Sequence, residues 1–198
     1  MYLETYPNST YNEGIEILLI DSYITSKNYQ EALKLLEGKR SFASKEAYQK
    51  VTFYRGLELY SEGNYQEAKG LFEKSIKEGI NETYTARATF WKAETDYNLT
   101  NYDDALIGFK QFQQSNTASQ TPEFKNSDYN VAYTYFKQKN YTKSSEFFNK
   151  FLQGADLDPV RLNDTYLRLG DAHFVSSNYS AAIAAYDKAA KMNKVDAD

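Results

Sequence analysis

The sequence predicts an all-α chain of about five antiparallel helix hairpins that follow one another in a solenoid, and three observations carry that prediction. The dipeptide Asn-Tyr recurs at Asn28-Tyr29, Asn64-Tyr65, Asn101-Tyr102, Asn140-Tyr141 and Asn178-Tyr179, at intervals of 36, 37, 39 and 38 residues. A period of this size marks supersecondary units that bury their apolar faces on their neighbours. A small residue stands three positions after each tyrosine (Ala32, Ala68, Ala105, Ser144, Ala182), and a bulky one four further on (Leu36, Phe72, Phe109, Phe148, Tyr186). That spacing puts tyrosine, small and bulky residue on one helical face. Finally, only 3 Pro and 9 Gly interrupt 198 residues, which leaves long stretches free to be helical.

Each element follows from the same punctuation. Nine positions before the tyrosine stand Gly56, Ala93, Ala132 and Gly170, and four further on Tyr60, Tyr97, Phe136 and Phe174; this is the face on which a first helix meets its second. Hairpin one departs, with Ile20 at the small position. Asn before Tyr suits a helix N-cap, and Glu31, Glu67 and Asp104 three residues later resemble capping boxes. The helices expected are therefore 11–26 with 29–38, 45–62 with 65–78, 82–99 with 102–115, 123–139 with 141–153, and 160–176 with 179–192. These five hairpins, 11–38, 45–78, 82–115, 123–153 and 160–192, are read as one array over 1–198, with 1–10 the tail of a preceding repeat or a linker.

Composition narrows the function. A hydrophobic content of 41% with 19 Tyr and 12 Phe is far too apolar for a solvating tail. A net charge of −4 and a pI near 5.2 supply no field for a phosphate backbone, and the lysines of 34–40, 69–77 and 188–194 alternate with acids or apolar residues as solvated helix faces do. An RNA-binding hairpin array is thereby disfavoured. There is no Cys, which removes disulfide and thiol chemistry without deciding the compartment. No run of about 18 apolar residues is present, and the Met1 region lacks the basic and apolar segments of a signal peptide.

Small residue, turn tyrosine, alanine and aromatic in this order resemble the tetratricopeptide repeat over nearly the whole chain. Hairpin five, Tyr166-Leu-Arg-Leu-Gly-Asp-Ala-His-Phe through Asn178-Tyr-Ser-Ala-Ala-Ile-Ala-Ala-Tyr-Asp-Lys-Ala, is the closest match, with Leu169, Gly170, Ala182, Tyr186 and Ala189 in place. The resemblance implies a right-handed superhelical solenoid that binds a protein or peptide in its concave groove and does no catalysis. The intervals exceed the family's period, so extra length is expected in inter-hairpin loops such as 116–124 and 154–159, read as insertions at exposed tips. Tyr6-Pro-Asn-Ser and the linker at Asp158-Pro159 resemble phrases of bacterial envelope members, the outer-membrane assembly lipoproteins and the periplasmic coordinators of cell-wall constriction. A periplasmic or outer-membrane-associated site is accordingly favoured over a cytoplasmic one. Both ends read as open, so an excerpt of a longer array is expected; a complete small protein that self-associates through those ends is the alternative.

Chemistry-bearing constellations are sparse. His173, the single histidine, stands three residues after Gly170 with no nucleophile or carboxylate set around it, and is read as structural. Asp103-Asp104 and Asp156 with Asp158 lack calcium-loop spacing and read as helix-start and loop acids. No phosphate loop, nucleophile motif or zinc cluster occurs, so no catalytic, cofactor or metal residue is assigned. The six Asn-x-Ser/Thr sequons follow from abundant Asn and Thr. Groove residues implied by the resemblance are Phe53, Tyr54 and Leu57; Phe90, Trp91 and Glu94; Tyr129, Asn130, Tyr133 and Lys137; Leu167, Arg168, Asp171 and Val175. Among them Tyr54, Trp91, Glu94, Asn130, Tyr133, Arg168 and Asp171 are the partner-binding candidates. Tyr54, Trp91, Asn130, Tyr133 and Arg168 are expected to be exposed, because aromatics and Arg anchor contacts and amides pair with extended peptides. The family's clamp for acidic C-terminal tails needs Lys and Asn at fixed positions, and Phe53, Phe90, Tyr129 and Leu167 at one of them argue against that ligand. The function expected is a protein-interaction scaffold; a helical accessory domain of a larger enzyme and a self-association module are the rivals.

Overall fold

The computed structural model describes residues 5–6, 9–37 and 42–195, among which the regular structure is ten α-helices and two 3-10 turns, with no strand. The helices are α1 (Asn12–Thr25), α2 (Tyr29–Leu36), α3 (Phe42–Ser61), α4 (Tyr65–Glu78), α5 (Glu82–Asn98), α6 (Tyr102–Gln114), α7 (Ser127–Lys137), α8 (Tyr141–Phe151), α9 (Pro159–Val175) and α10 (Tyr179–Val195). The chain divides into two compact units, 1–99 with α1 to α5 and 100–198 with α6 to α10. The expected segment 1–10, the end of α2 at Gly38 and the end of the chain after Val195 fall wholly or partly outside the described residues.

Each turn before an Asn-Tyr is built the same way. The residue preceding the Asn takes a left-handed conformation: Lys27, Gly63, Thr100, Lys139 and Ser177, with φ of 57°, 82°, 64°, 60° and 58°. In four of the turns the Asn N–H then donates back to the first helix, Asn28 to the Tyr23 carbonyl at 2.7 Å, Asn64 to Leu59 at 2.9 Å, Asn140 to Tyr135 at 2.9 Å and Asn178 to His173 at 2.8 Å. This is the Schellman ending, which satisfies carbonyls of the last helical turn. It also corrects the capping reading. An Asn N–H spent on the preceding helix has nothing left for a capping box, and Glu31 instead pairs with Lys34 at 2.6 Å. The Asn side chain accepts from the next helix at Asn140 and Asn178, whereas Asn28, Asn64 and Asn101 cap without a side-chain bond.

The small-against-bulky rule holds where helices cross. A Cβ on Gly56 would lie 2.7 Å from the Phe72 ring, and one on Gly170 2.3 Å from the Tyr186 ring, so glycine is what lets α3 meet α4 and α9 meet α10. Hairpin one exchanges the sizes: Ile20 fills the small position, Leu36 replaces the aromatic, and both are buried in one cluster with Tyr29, Ala32 and Val51. Phe53, Leu59, Ala68, Phe72 and Ala88 form the second core of this unit, and Ala132, Phe148, Leu169 and Ala185 a core of the other.

Of the two linkers expected to be exposed tips, 154–159 is largely exposed, whereas 116–124 is more ordered than that. Residues 115–126 fold into the 3-10 turns Ala118–Gln120 and Phe124–Asn126 and bury Ala118, Thr121 and Glu123. Hence α7 starts at Ser127 rather than at 123. Between α4 and α5 the side chain of Gln49, fully buried on α3, brackets Asn81: its Oε1 accepts from the Asn81 N–H at 2.7 Å, and its Nε2 donates to the Asn81 carbonyl at 3.1 Å and to Thr85 Oγ1 at 3.0 Å.

Candidate functional site

Positions are most simply counted from the tyrosine of each Asn-Tyr. Tyr54, Trp91, Asn130 and Arg168 all fall at −11, and Glu94, Tyr133 and Asp171 at −8. Contrary to expectation, Tyr54, Trp91, Asn130, Tyr133 and Arg168 are half-buried. The reason is visible at −11, where the side chain turns toward the preceding hairpin. Tyr54 stacks on Tyr29 with ring centroids 5.9 Å apart, and Trp91 meets Tyr60 edge-on at 5.1 Å. At −12, Phe53 and Phe90 are core residues, and Phe53 touches the Tyr54, Phe72 and Tyr84 rings.

In the first unit the polar end of this face is a chain of three groups. Asn98 Nδ2 donates to the Tyr60 hydroxyl at 3.0 Å, and that hydroxyl donates to Glu94 at 3.2 Å. Burial first, then the Glu94 charge, hold the Tyr60 hydroxyl above the ordinary tyrosine range. Deeper, the fully buried Asp96 receives Lys69 at 2.6 Å and Lys92 at 2.8 Å.

The second unit gathers four candidates, Asn130, Tyr133, Arg168 and Asp171, on α7 and α9, and the last three join one network. Asp164 accepts from the Tyr129 hydroxyl at 2.8 Å and closely from the Tyr133 hydroxyl. Arg168 Nε lies 3.1 Å from the Tyr133 hydroxyl and 3.3 Å from Asp164, while its Nη1 donates to Asp171 at 2.6 Å. The Tyr186 hydroxyl closes the set on Asp171 at 2.8 Å. Burial, joined by hydrogen bonds to Asp164, raises the Tyr129 and Tyr133 pKa values. Burial opposes the charge of Arg168, but Tyr133, Asp164 and Asp171 outweigh it and raise its pKa. Sequence reading missed Asp164 and Tyr186 as members, although Asp164, Arg168 and Asp171 at i, i+4 and i+7 share one helical face and carry alternating charge. Asn130, half-buried, accepts from Thr134 through its carbonyl at 2.7 Å.

His173 is half-buried, and its carbonyl closes the last turn. Asp158 caps α9 by accepting from the Arg161 N–H at 2.9 Å ahead of Pro159, and Asp103 accepts from Gln138. Among the described residues, no three His, Cys, Asp or Glu side chains gather as metal ligands, and no helix is long and apolar enough to cross a membrane.

Paired helices joined by left-handed turns, with small residues at the crossings, define the class of all-α helical-hairpin solenoids. Residues 129–153 and 164–196 match the family model of the tetratricopeptide repeat. Solved structures extend the fold to nearly the whole chain. MamA (residues 41 to the end) from Desulfovibrio magneticus RS-1 is 20% identical over 92% of this chain and 95% of its own, with a TM-score of 0.66. BtubC from P. vanneervenii is 14% identical over 98% and 87%, at 0.69, and PilF of Pseudomonas aeruginosa 18% identical over 90% and 75%, at 0.61. No curated protein sequence gives a match to the chain.

Proposed function

We propose that the chain is a scaffold that holds a protein or peptide partner in a bacterial envelope-associated complex, chiefly through the α7–α9 face around Arg168. Tyr54, Trp91 and Glu94 supply a second patch in the first unit. The tetratricopeptide fold is that of protein-interaction scaffolds, and the observation that carries the finer reading is the state of Arg168. Its guanidinium is held by Tyr133, Asp164 and Asp171, yet its side chain keeps 36% of its surface exposed. A donor fixed in advance loses little conformational freedom when a partner carbonyl arrives, and Asp171 beside it offers an acceptor to a partner N–H. An extended peptide presents both groups in alternation. The envelope assignment rests on the Tyr6-Pro-Asn-Ser and Asp158-Pro159 phrases.

The test is capture of partners by the tagged chain from fractionated cells of its source, repeated with Arg168→Gln, Asp171→Asn and the pair Tyr54→Ala with Trp91→Ala. A specific partner enriched from the envelope fraction and lost with Arg168→Gln, at unchanged helicity, is expected. Partners that all stay bound to every variant would overturn the site.

A further inference from the structure

Hairpin five differs from the others in how its second helix meets its first. Through the gap left by the small residue at −9, the bulky residue at +7 reaches the side chain at −8. The Phe148 and Tyr133 rings lie 5.5 Å apart, Leu57 packs on the core cluster that holds Phe72, and the Tyr186 hydroxyl donates to Asp171 at 2.8 Å. Of the five residues at +7, Leu36, Phe72, Phe109, Phe148 and Tyr186, only the last brings a hydrogen-bond donor through the gap.

That donor stands on a stiff support. The Tyr186 ring lies so close beneath the α9 backbone that a Cβ at Gly170 would meet it at 2.3 Å, and a ring packed this tightly fixes the place of its hydroxyl. Asp171 is thereby held on both oxygens, Oδ1 accepting from Tyr186 and Oδ2 from Arg168 Nη1 at 2.6 Å. Arg168 and Asp171 are an i,i+3 pair with side chains 36% and 34% exposed. A pair so exposed contributes little by itself, because two flexible side chains must be ordered to make it. The Tyr186 hydroxyl orders one of them from outside the pair, while Tyr133 and Asp164 hold the Nε end of the guanidinium. The fork is gripped at both ends, one grip coming from α10.

We propose that Tyr186 is a positioning residue for Arg168. Acting through Asp171, its hydroxyl locks the guanidinium in the orientation that meets a partner, so the second helix of hairpin five tunes a site built on α7 and α9. A donor locked in advance loses less freedom on binding. The consequence for binding rests on the reading of Arg168 as a partner-binding donor; the locking itself does not. Packing is separable from positioning, because Phe is the residue that hairpins two to four carry at +7.

The test compares wild type, Tyr186→Phe, Asp171→Asn and the double variant, each as the full chain with isotope-labelled arginine, by nuclear magnetic resonance. The Arg168 signals are identified by their loss in Arg168→Gln. Tyr186→Phe is expected to keep the helical content and the backbone N–H protection of α9, yet to speed rotation of the Arg168 guanidinium severalfold. In the Asp171→Asn background the same change should add nothing, since the hydroxyl acts through that carboxylate. An Arg168 as slow to rotate in Tyr186→Phe as in the wild type would overturn the proposal, and so would a full added effect on top of Asp171→Asn. With the protein captured by the wild-type chain as probe, Tyr186→Phe should bind about tenfold more weakly. A probe lost with Arg168→Gln but held at full strength by Tyr186→Phe overturns the positioning role in recognition. A probe indifferent to Arg168→Gln overturns the partner-binding reading instead, and the rotation rates still decide the locking.

Discussion

Lys139 holds φ at 60°, a region in which a side chain costs energy and glycine does not. Of the five residues at this turn position only Gly63 is a glycine, and Thr100, β-branched at φ 64°, is the most strained type. Lys139→Gly is therefore expected to raise stability by about 0.5–1 kcal/mol, and Gly63→Ala to lower it by about as much, in denaturant titrations. A second gain is available at Ser144. It stands where the other hairpins carry Ala, is fully buried, and its hydroxyl has no hydrogen-bond partner. Ser144→Ala should stabilise by about 1 kcal/mol, read as a rise in the unfolding midpoint; a fall would show that the hydroxyl is satisfied. The opposite holds at Gly170, where an added methyl meets the Tyr186 ring at 2.3 Å. Gly170→Ala is expected to cost about 1–3 kcal/mol, and Tyr186→Leu in the same chain to recover part of it.

Between elements the strongest device is the Gln49 clamp, which treats the Asn81 peptide as a neighbouring strand would and ties α3 to the start of α5. Gln49→Leu keeps the volume and orphans that N–H and carbonyl. A loss of about 2 kcal/mol is expected, measured against Thr85→Val, which removes the hydroxyl's bonds to Gln49 Nε2 and to the Asn81 carbonyl but leaves both Gln49–Asn81 bonds in place, and should cost less. The Asn-Tyr spacing made the helices and their turns legible, because it records a local backbone event, a left-handed residue followed by a new helix start. Gln49 was not legible: a glutamine inside a helical run looks solvated until the linker it reaches, 32 residues away, is in place. The same applies to Asp96, whose burial depends on Lys69 arriving from α4. The 3-10 turns of 115–126 were hidden for a third reason, since a polar stretch with one Pro carries no periodicity to read.

Across the molecule the tyrosines set a common alkaline limit. Burial leads the causes that hold the hydroxyls of Tyr60, Tyr84, Tyr129 and Tyr133 above their ordinary range, followed by neighbours such as Glu94 and Asp164. The unfolded chain releases these protons near pH 10 while the folded chain retains them, so the folded state binds more protons above that pH and loses stability as pH rises further. Denaturant midpoints should be insensitive to these groups from about pH 7 to about pH 9 and should fall steeply above about pH 10. A chain with Tyr129→Phe and Tyr133→Phe should show a shallower fall, and a slope identical to the wild type would sink this account.

The sequence by itself determined the hairpins, because period, turn and small-against-bulky pairing are local or nearly so. It also determined which side chains are aromatic or charged at −11 and −8. Only the tertiary structure decided what those side chains do. A helix-face position is shared between groove and junction, and the orientation of each helix on the hairpin before it turned Tyr54 and Trp91 inward onto Tyr29 and Tyr60.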